Sequence, residues 1–289
     1  LTKNLELYNA NYFCYSHNKL INQRFRSTCN DIFIPLINLI DILFIIFKIK
    51  KIPDIIHCSV ENFAVLAWFL SKLYKKPFTI TAHGTYSVLF PKNSWFYKKA
   101  FINSHKILAV SQYTKNMILR SKIKCDIKVI NPGVNKKIYK SSNKRMKENS
   151  IVFVGNEKKR KGLYYLLKAC LEINPHLLDE LLLIGKFKLQ DTFINDLINK
   201  IRSNGITIRI LTNISNLELV RNYQKSKINI LPSQNVNDNF EGFGLIHLEA
   251  NACGTLTIGC YKTGNEDAVK EGYGFLVPQK SHKELIQKI

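Results

Sequence analysis

From about residue 34 onward, short apolar runs alternate with amphipathic stretches of helical period. This alternation is typical of a parallel sheet whose two faces are both covered by helices. It is interrupted at the polar, lysine-rich stretch Lys136–Ser150, which we predict to be a linker, and begins again at Ile151. We therefore predict an α/β fold of two Rossmann-like, doubly wound domains, over 1–140 and 150–289. Such domains face one another across a cleft and hold a ligand at the carboxyl ends of their strands.

The same pattern predicts individual elements in each half. In the first, the predicted strands are Asp54–His57, Pro77–Gly84, Lys106–Val110 and Ile127–Ile130, and the helices are Pro35–Lys48, Glu61–Tyr74 and Gln112–Arg120. In the second, the predicted strands are Ile151–Gly155, Glu180–Gly185, Ile206–Leu211, Ile228–Ser233, Thr255–Cys260 and Gly274–Val277, and the helices are Gly162–Glu172, Gln190–Ser203, Asn216–Lys225 and Gly244–Ala252. A further helix is predicted from about Ser281.

The two ends of the sequence predict an incomplete protein. The chain begins at Leu1, and its first glycine is Gly84. A doubly wound domain normally opens with a strand and a tight glycine-rich turn. We therefore expect a fragment whose N-terminal domain lacks its first strand and whose last helices are missing.

The formal net charge is +22, from 43 Lys and Arg against 21 Asp and Glu. Nucleic acid, an anionic membrane surface and a polyanionic small ligand could each account for it. A coding sequence rich in A and T, with no functional meaning, is the fourth explanation. The basic residues are diffuse and no recognition motif is present, so we predict no nucleic-acid partner. Peripheral contact with an anionic membrane stays open.

The seven cysteines and the longest apolar run bear on localisation. The cysteines are scattered and show no C-x-x-C pair, which favours free thiols in a reducing compartment over structural zinc. The run Ile32–Phe47 is shorter than the roughly 20 residues of a membrane span, and Pro35 and Asp41 interrupt it. We predict a core helix here, and a cytoplasmic protein that can touch the inner face of the membrane.

The most informative segment is Asn239–Thr255, in which two glutamates lie close to glycines. Glu241 precedes a loop made flexible by Gly242 and Gly244, and Glu249 follows eight positions later, within the next predicted helix. Glycines allow backbone N–H groups to approach a ligand closely, and a helix N-terminus favours negative charge. The segment therefore suits a diphosphate, with Glu249 available to a pair of ribose hydroxyls. Without further context, both glutamates would be interpreted as surface charges.

A second candidate segment follows the strand that ends at Gly155. It is a cationic loop in which Arg160 and Lys161 precede Gly162 at the start of a helix. Cations beside a helix N-terminus would stabilise the charge that develops on a nucleoside diphosphate leaving group. A solvated basic loop is the alternative explanation.

The segments LPS, EGFGL, EA and ACGT between Leu231 and Thr255 resemble the E-x7-E signature of family 4 (group 1) retaining glycosyltransferases. The resemblance spans roughly Asp54 to Pro278 and implies the GT-B fold. It implies that the first domain binds the acceptor and the second binds a nucleotide-sugar. Glu241 would contact hydroxyls of the donor sugar, and Glu249 would hold the ribose. The backbone amides that would meet sugar and phosphates are those of Phe243, Gly244 and Leu245.

The resemblance also assigns roles to the basic loop. Lys161 matches the family's lysine before glycine, and Gly155 its strand-ending glycine. The family usually has arginine directly after that glycine, but this chain has Asn156, so we expect Arg160 to substitute.

Other matching positions are less specific. His83, at the end of a predicted strand, would lie near the reacting sugar and stabilise positive charge through its carbonyl or imidazole, although a lone histidine is more often structural. Ser111 and Asn131–Gly133 match cleft positions, but a helix cap and a hinge turn explain them as well. Glu266 could orient the loop over the base or sugar. We predict Glu241, Lys161 and His83 as the catalytic residues.

Together these features predict retaining transfer of a hexosyl or related group from a nucleotide-sugar to a glycan or lipid-linked acceptor. The sequence has no D-x-D pair, so we expect no metal and no cofactor beyond the nucleotide-sugar co-substrate. No carboxylate stands out as a nucleophile, and the resemblance implies front-face attack. A sugar-nucleotide epimerase of the same fold, an inactive fragment and a basic binding protein are the alternatives.

Overall fold

The computed structural model describes residues 42, 43, 45, 46, 52–142 and 147–289. Most of the predicted helix Pro35–Lys48 lies outside the described residues, and its four described positions are helical. Two compact units are present. The first takes in the described residues up to Ala82, together with Tyr86–Leu108 and Ile118–Lys128; the second consists of His83–Thr85, Ala109–Met117 and Val129–Ile289. The predicted domain limits, 1–140 and 150–289, stay a prediction.

The N-terminal half of the described chain contains a four-stranded sheet in the order β1-β2-β3-β4. The strands are β1 (Ile56–Cys58), β2 (Phe78–Ala82), β3 (Lys106–Ala109) and β4 (Ile127–Val129), and the helices are α1 (Ala64–Tyr74), α2 (Tyr86–Asn93), α3 (Trp95–Asn103) and α4 (Gln112–Arg120). β1 and β2 pair in parallel. In the first unit, α1 packs its apolar side through Leu66 and Leu70.

The second unit contains a six-stranded sheet in the order β10-β9-β8-β5-β6-β7. Its strands are β5 (Glu148–Asn156), β6 (Glu180–Lys186), β7 (Thr207–Leu211), β8 (Ser226–Ile230), β9 (Leu256–Cys260) and β10 (Gly274–Val277). Its helices are α5 (Leu163–Glu172), α6 (Thr192–Ser203), α7 (Asn216–Lys225), α8 (Leu245–Ala252), α9 (Asn265–Ala268) and α10 (His282–Lys288).

All five strand pairs of this sheet are parallel. From β5 the chain builds outward to β6 and β7, then returns to the other side of β5 and builds outward through β8, β9 and β10. This is the doubly wound order, and the direction of growth reverses between β5 and β8. Ligands of such sheets bind outside the carboxyl ends of the two strands at this reversal point. The loops after β5 and β8 therefore mark where the site should form.

Apolar packing covers both faces of the six-stranded sheet. On one face, Leu166, Leu167, Ile198, Ile201 and Leu285 bring α5, α6 and α10 against the strands. On the other, residues of α7 and α8 pack on β5 and β6 through Val220, Tyr223, Ala250 and Cys253. The strands are therefore apolar on both sides, which explains their near-continuous runs of Ile, Leu and Val.

Several predicted boundaries were wrong by a few residues, and the starts of two strands are examples. β1 begins at Ile56 rather than Asp54, and β5 begins at Glu148, within the predicted linker Lys136–Ser150. A polar side chain allows this early start of β5, because Lys147 Nζ donates to the carbonyl oxygens of Tyr223 and Ser226 at 3.3 and 3.0 Å. Polar contacts of this kind leave no signal in an apolar pattern.

Candidate functional site

The two segments that the sequence singled out follow β5 and β8, the two strands at the reversal point of the sheet. After β5, a short helical turn at Lys159–Lys161 leads to Gly162, whose φ of 72° is left-handed. A Cβ at Gly162 would overlap the carbonyl oxygen of Pro232, in the loop after β8. Only glycine permits this close approach of the two backbones. The approach brings the basic loop after β5 against the loop after β8, which leads to Glu241.

Arg160 and Lys161 both contact one carboxylate oxygen of Glu241. Arg160 Nη1 lies 2.5 Å from Oε2, and Lys161 Nζ lies 2.7 Å from the same atom. The side chains of Arg160, Lys161 and Glu241 are 24%, 14% and 11% exposed. The structure thus brings together three of the predicted site residues, from two loops, in a largely buried cluster that we call the ionic cluster.

Burial and the two cations of the ionic cluster have opposite effects on the pKa of Glu241. Burial alone would raise the pKa of this carboxyl, but the positive charges of Lys161 and Arg160 outweigh burial and hold the pKa below its usual value. Glu241 is therefore ionised at neutral pH. Two cations against one anion leave one positive charge in excess, at a point where a helix also begins.

The glycine loop after Glu241 leads directly into α8. Gly244 precedes the helix with a φ of 86°, and the Gly264 amide donates to the Glu241 carbonyl at 2.9 Å. Phe243 is buried against Val110 and Ala268. Leu245, the first residue of α8, is partly exposed. The first amides of α8 have no acceptor within their own helix, so they can bind an anion beside the ionic cluster.

Glu249 lies four residues after the start of α8, about 6 Å along the helix axis. The helix begins one residue later than the predicted start at Gly244, so Glu249 is just over one turn into it. Its Oε2 accepts a hydrogen bond from the Tyr223 hydroxyl at 3.2 Å. Tyr139 also bonds to it, and burial raises the pKa of Glu249. The carboxylate is thus held by two phenols and is still half-buried.

Two segments from the N-terminal half of the sequence, His83–Thr85 and Ala109–Met117, belong to the second unit and contact the glycine loop. Ser111 Oγ accepts from the Thr114 amide at 2.9 Å, as a helix cap does, and donates to the Gly242 carbonyl at 2.6 Å. The Thr114 hydroxyl donates to the same carbonyl at 3.1 Å. A Cβ at Gly242 would overlap the backbone carbonyl oxygen of His83. Both Ser111 and His83 therefore lie beside the loop that carries Glu241.

Gly155 and Glu266 have local roles in the structure. Gly155 faces Gly185 of β6 across the sheet, and a Cβ at Gly185 would overlap the Gly155 carbonyl. Glu266 is exposed and accepts from the Lys262 amide at 3.0 Å. Their predicted roles toward a donor stay predictions.

Several buried polar residues were missed by the sequence analysis. Asn229 and Thr257 are paired across β8 and β9, and His247 of α8 lies against Thr257. Tyr139 and Tyr223 hold Glu249. The signal that could have revealed the first group is a polar residue in the middle of each of two apolar strands. No comparable signal in the sequence indicates Tyr139 or Tyr223.

Two family models match the chain. Glycosyltransferase family 4 matches residues 21–137, and glycosyl transferases group 1 matches residues 134–289, more than half of the chain. The chain belongs to the glycosyl transferases group 1 family. The ionic cluster, the glycine loop and Glu249 all lie within the matched range of that family, so the resemblance predicted from residues 231–255 is confirmed.

The relatives of this chain are glycosyltransferases as well. An uncharacterized glycosyltransferase from Methanocaldococcus jannaschii is 32% identical over 218 residues, which is 74% of this chain and 57% of the relative. A D-inositol 3-phosphate glycosyltransferase from Corynebacterium aurimucosum is 27% identical over 80% of this chain and 61% of its own length. The chain therefore spans 57–61% of these two relatives.

Among solved structures, a glycosyltransferase from Rickettsia africae superimposes with a TM-score of 0.70 at 25% identity, covering 90% of this chain and 71% of its own. HepE from Anabaena, solved with UDP, gives a TM-score of 0.65 at 18% identity, covering 81% of this chain and 67% of its own. These likenesses confirm the predicted α/β class of the GT-B glycosyltransferases. Within the described residues, no helix has the length and apolarity to cross a membrane, and no three metal-ligating side chains cluster.

Proposed function

We propose that this chain is the donor-binding part of a retaining glycosyltransferase that moves a sugar from a nucleotide-sugar to a glycan or lipid-linked acceptor. The observation that carries the proposal is the ionic cluster: Arg160 and Lys161 after β5 meet Glu241 after β8, at the reversal point of the sheet. A site with two cations, one carboxylate and a helix N-terminus suits a diphosphate joined to a sugar.

In the proposed complex, the diphosphate takes Glu241's place on Arg160 and Lys161. The amides at the start of α8 would bind the remaining phosphate oxygens, and Glu241, once released, would turn to hydroxyls of the donor sugar. The half-buried Glu249 is supported as the ribose ligand, because its two phenolic donors fix the carboxylate and leave acceptor positions for vicinal hydroxyls. UDP bound to HepE supports a nucleoside diphosphate as the ligand class.

The chemistry would follow from charge. As the glycosidic bond breaks, the leaving diphosphate gains negative charge, and preorganised cations lower the free energy of that state. Arg160 and Lys161 are already placed and partly desolvated. We propose that they supply this stabilisation without a metal. In front-face attack, a leaving phosphate oxygen takes the acceptor's proton while the new bond forms on the same face. The partial negative charge on the backbone carbonyl oxygen of His83 would stabilise the positive charge that develops on the oxocarbenium-like sugar.

The acceptor and the membrane are the least constrained parts of the proposal. A net charge of +22 supports an acceptor presented at an anionic surface, such as a lipid-linked glycan. It equally suits an anionic glycan, and both belong to the acceptor class proposed here. We propose a cytoplasmic enzyme that meets its acceptor at an anionic surface of this kind.

The decisive experiment measures binding of UDP, GDP and ADP by calorimetry to the chain and to two lysine variants. Lys161→Met removes a cation of the ionic cluster, and Lys159→Met removes an exposed cation two residues earlier in the same turn. We expect Lys161→Met to weaken the tightest nucleotide by about 100-fold, since a single donor in such a site contributes roughly 3 kcal/mol. Lys159→Met should change it less than about threefold.

Equal effects of the two lysine variants, or no binding of any nucleotide, would refute the proposed site. Turnover separates the remaining alternatives. NMR of the nucleotide-sugar, incubated with the chain and with the full-length parent, should show a free or transferred sugar of unchanged anomeric configuration. An epimerised sugar would instead indicate the epimerase, and turnover by the parent alone would show that this chain is inactive by itself.

A further inference from the structure

A buried polar cluster lies beneath the start of α8. It consists of Asn229 in β8, Thr257 in β9 and His247 in α8, all fully buried. Asn229 and Thr257 are direct partners in the register of the two strands. Their neighbours along each strand are Ile and Leu, as expected for a strand covered on both faces. Three polar side chains in such a place are costly to bury unless they bond to one another, so their arrangement is specific.

The hydrogen bonds of the polar cluster orient the imidazole ring of His247. Asn229 Nδ2 donates to Thr257 Oγ1 at 2.9 Å, and His247 Nδ1 is hydrogen-bonded to the same Oγ1. Nδ1 therefore faces Thr257, and the Cδ2–Nε2 edge lies on the other side of the ring. Burial also lowers the pKa of His247 to about 4, so the ring is neutral at physiological pH.

The other edge of the imidazole lies against Gly244. A Cβ at Gly244 would be 2.8 Å from His247 Cδ2 and 3.3 Å from Nε2. The same Cβ would be 2.5 Å from Nδ2 of Asn265, whose amide also donates to the Phe243 carbonyl at 3.3 Å. Gly244 has a φ of 86°, and the His247 amide donates to its carbonyl at 3.0 Å. The ring of His247 and the side-chain amide of Asn265 therefore pack directly against Gly244 and leave no room for a side chain there.

Gly244 links the Glu241 loop to the first turn of α8. Its conformation therefore sets the direction of the amides of Gly244 and Leu245 relative to the ionic cluster. An error of about 1 Å in such donors is enough to lose most of their effect on a phosphate. A residue that fixes Gly244 thus acts on the ligand without touching it.

We propose that His247 is a positioning residue: its Cδ2–Nε2 edge, with Asn265, holds Gly244 in place and so aims the first amides of α8 at the donor diphosphate. The inference rests on the proposed function for the identity of the ligand. It also predicts a property of the free protein, which is the conformation of Gly244.

Two substitutions of His247 separate positioning from simple support of the core. His247→Gln places an amide close to where Nε2 lies, whereas His247→Asn places one close to Nδ1 and withdraws the edge that touches Gly244. We expect His247→Asn to weaken the tightest of UDP, GDP and ADP about tenfold, equivalent to one lost phosphate hydrogen bond. His247→Gln should stay within about threefold of the unaltered chain. The reverse order would mean that the Thr257 bond alone matters and would overturn the proposal.

Thr257→Val provides the matched control, because it removes the bond to Nδ1 and keeps the shape of the side chain. It should lower the midpoint of urea unfolding and leave nucleotide binding within about twofold. If Thr257→Val and His247→Asn lower both quantities equally, His247 only supports the core and the proposal is wrong.

A measurement without ligand separates this inference from the proposed function. The chain has 13 glycines, whose backbone signals can be followed by NMR after selective 15N and 13C labelling. Among them, the Gly244 signal should move most in His247→Asn and stay near its original position in His247→Gln. Failure of every nucleotide to bind would refute the proposed function, whereas an unmoved Gly244 signal in His247→Asn would refute the inference.

Discussion

Replacing Glu241 by glutamine should strengthen nucleoside diphosphate binding while it abolishes sugar transfer. The carboxylate of Glu241 lies 2.5 and 2.7 Å from the cations that we assign to the diphosphate. In the proposed function it is therefore a competitor for the ligand within the free site. A nucleoside diphosphate would have to displace it from Arg160 and Lys161, and Glu241→Gln would remove this cost.

The magnitude follows from the burial of the ionic cluster. Removing one partner of a buried ion pair costs about 3–5 kcal/mol. The three side chains are 11–24% exposed, and with solvent screening we take about 2 kcal/mol. Glu241→Gln should therefore destabilise the free protein by this amount, which lowers the melting temperature by about 4–8 °C. The same energy, no longer spent on displacing Glu241, should tighten nucleotide binding by about 30-fold.

Calorimetry with the tightest of UDP, GDP and ADP tests the affinity, and thermal unfolding with and without that nucleotide tests the stability. Glu148→Gln is the control, since it removes the same charge from an exposed pair with Lys225 at 3.1 Å. Glu148 begins β5, whereas the ionic cluster follows the opposite end of that strand. The control should change affinity by less than about twofold. A Glu241→Gln variant that binds nucleotide no better than the unaltered chain would refute the competition.

Three further predictions test neighbouring parts of the structure. Gly162→Ala should destabilise the chain by at least about 2 kcal/mol more than Gly205→Ala in urea unfolding, because both glycines have positive φ but only at Gly162 would a Cβ overlap another backbone group; equal losses would contradict this. Tyr223→Phe removes the donor to Glu249 and should weaken nucleoside diphosphate binding about fivefold with pyrophosphate binding unchanged; parallel losses would exclude a ribose contact. His247 has its pKa lowered to about 4 in the folded chain, so the unfolded chain takes up the proton first as pH falls below about 6.5. Stability present above that pH should fall by about 3 kcal/mol toward pH 4, and His247→Gln should lack this component.

The order of elements in the second unit was predictable because each element repeats one apolar period. α7 and β10 have the predicted bounds, Asn216–Lys225 and Gly274–Val277. Both are elements whose ends coincide with capping or turn residues, such as Ser215, which forms a capping box with Glu218. β5 was predicted three residues short, because its start depends on Lys147 reaching carbonyls of other elements. Such a contact depends on tertiary structure.

For the candidate site, the residues were predictable from the sequence, whereas the contacts between them were not. The resemblance selected Glu241, Lys161 and Arg160, and the structure joins them. It did not indicate that Glu241 would bind the two cations itself, because spacing in sequence contains no information on contacts across a sheet. Ser111 was explained by a helix cap and by a position near the cleft, and the structure gives it both a cap and a bond to Gly242. The phenols on Glu249 come from segments with no motif.

One physical relation connects these features. A doubly wound sheet ends β5 and β8 side by side, so charges placed after each strand lie close together, and Gly162 permits the final approach of the two loops. Opposite charges then neutralise one another in the free protein, which keeps a site with two cations folded. In the proposed function, the same pairing would make the site respond to a ligand, because a diphosphate would replace the carboxylate and release it toward the sugar. Stability of the free loop and readiness of Glu241 for the donor would then be set by one interaction, and we expect a substitution of Glu241 to change both together.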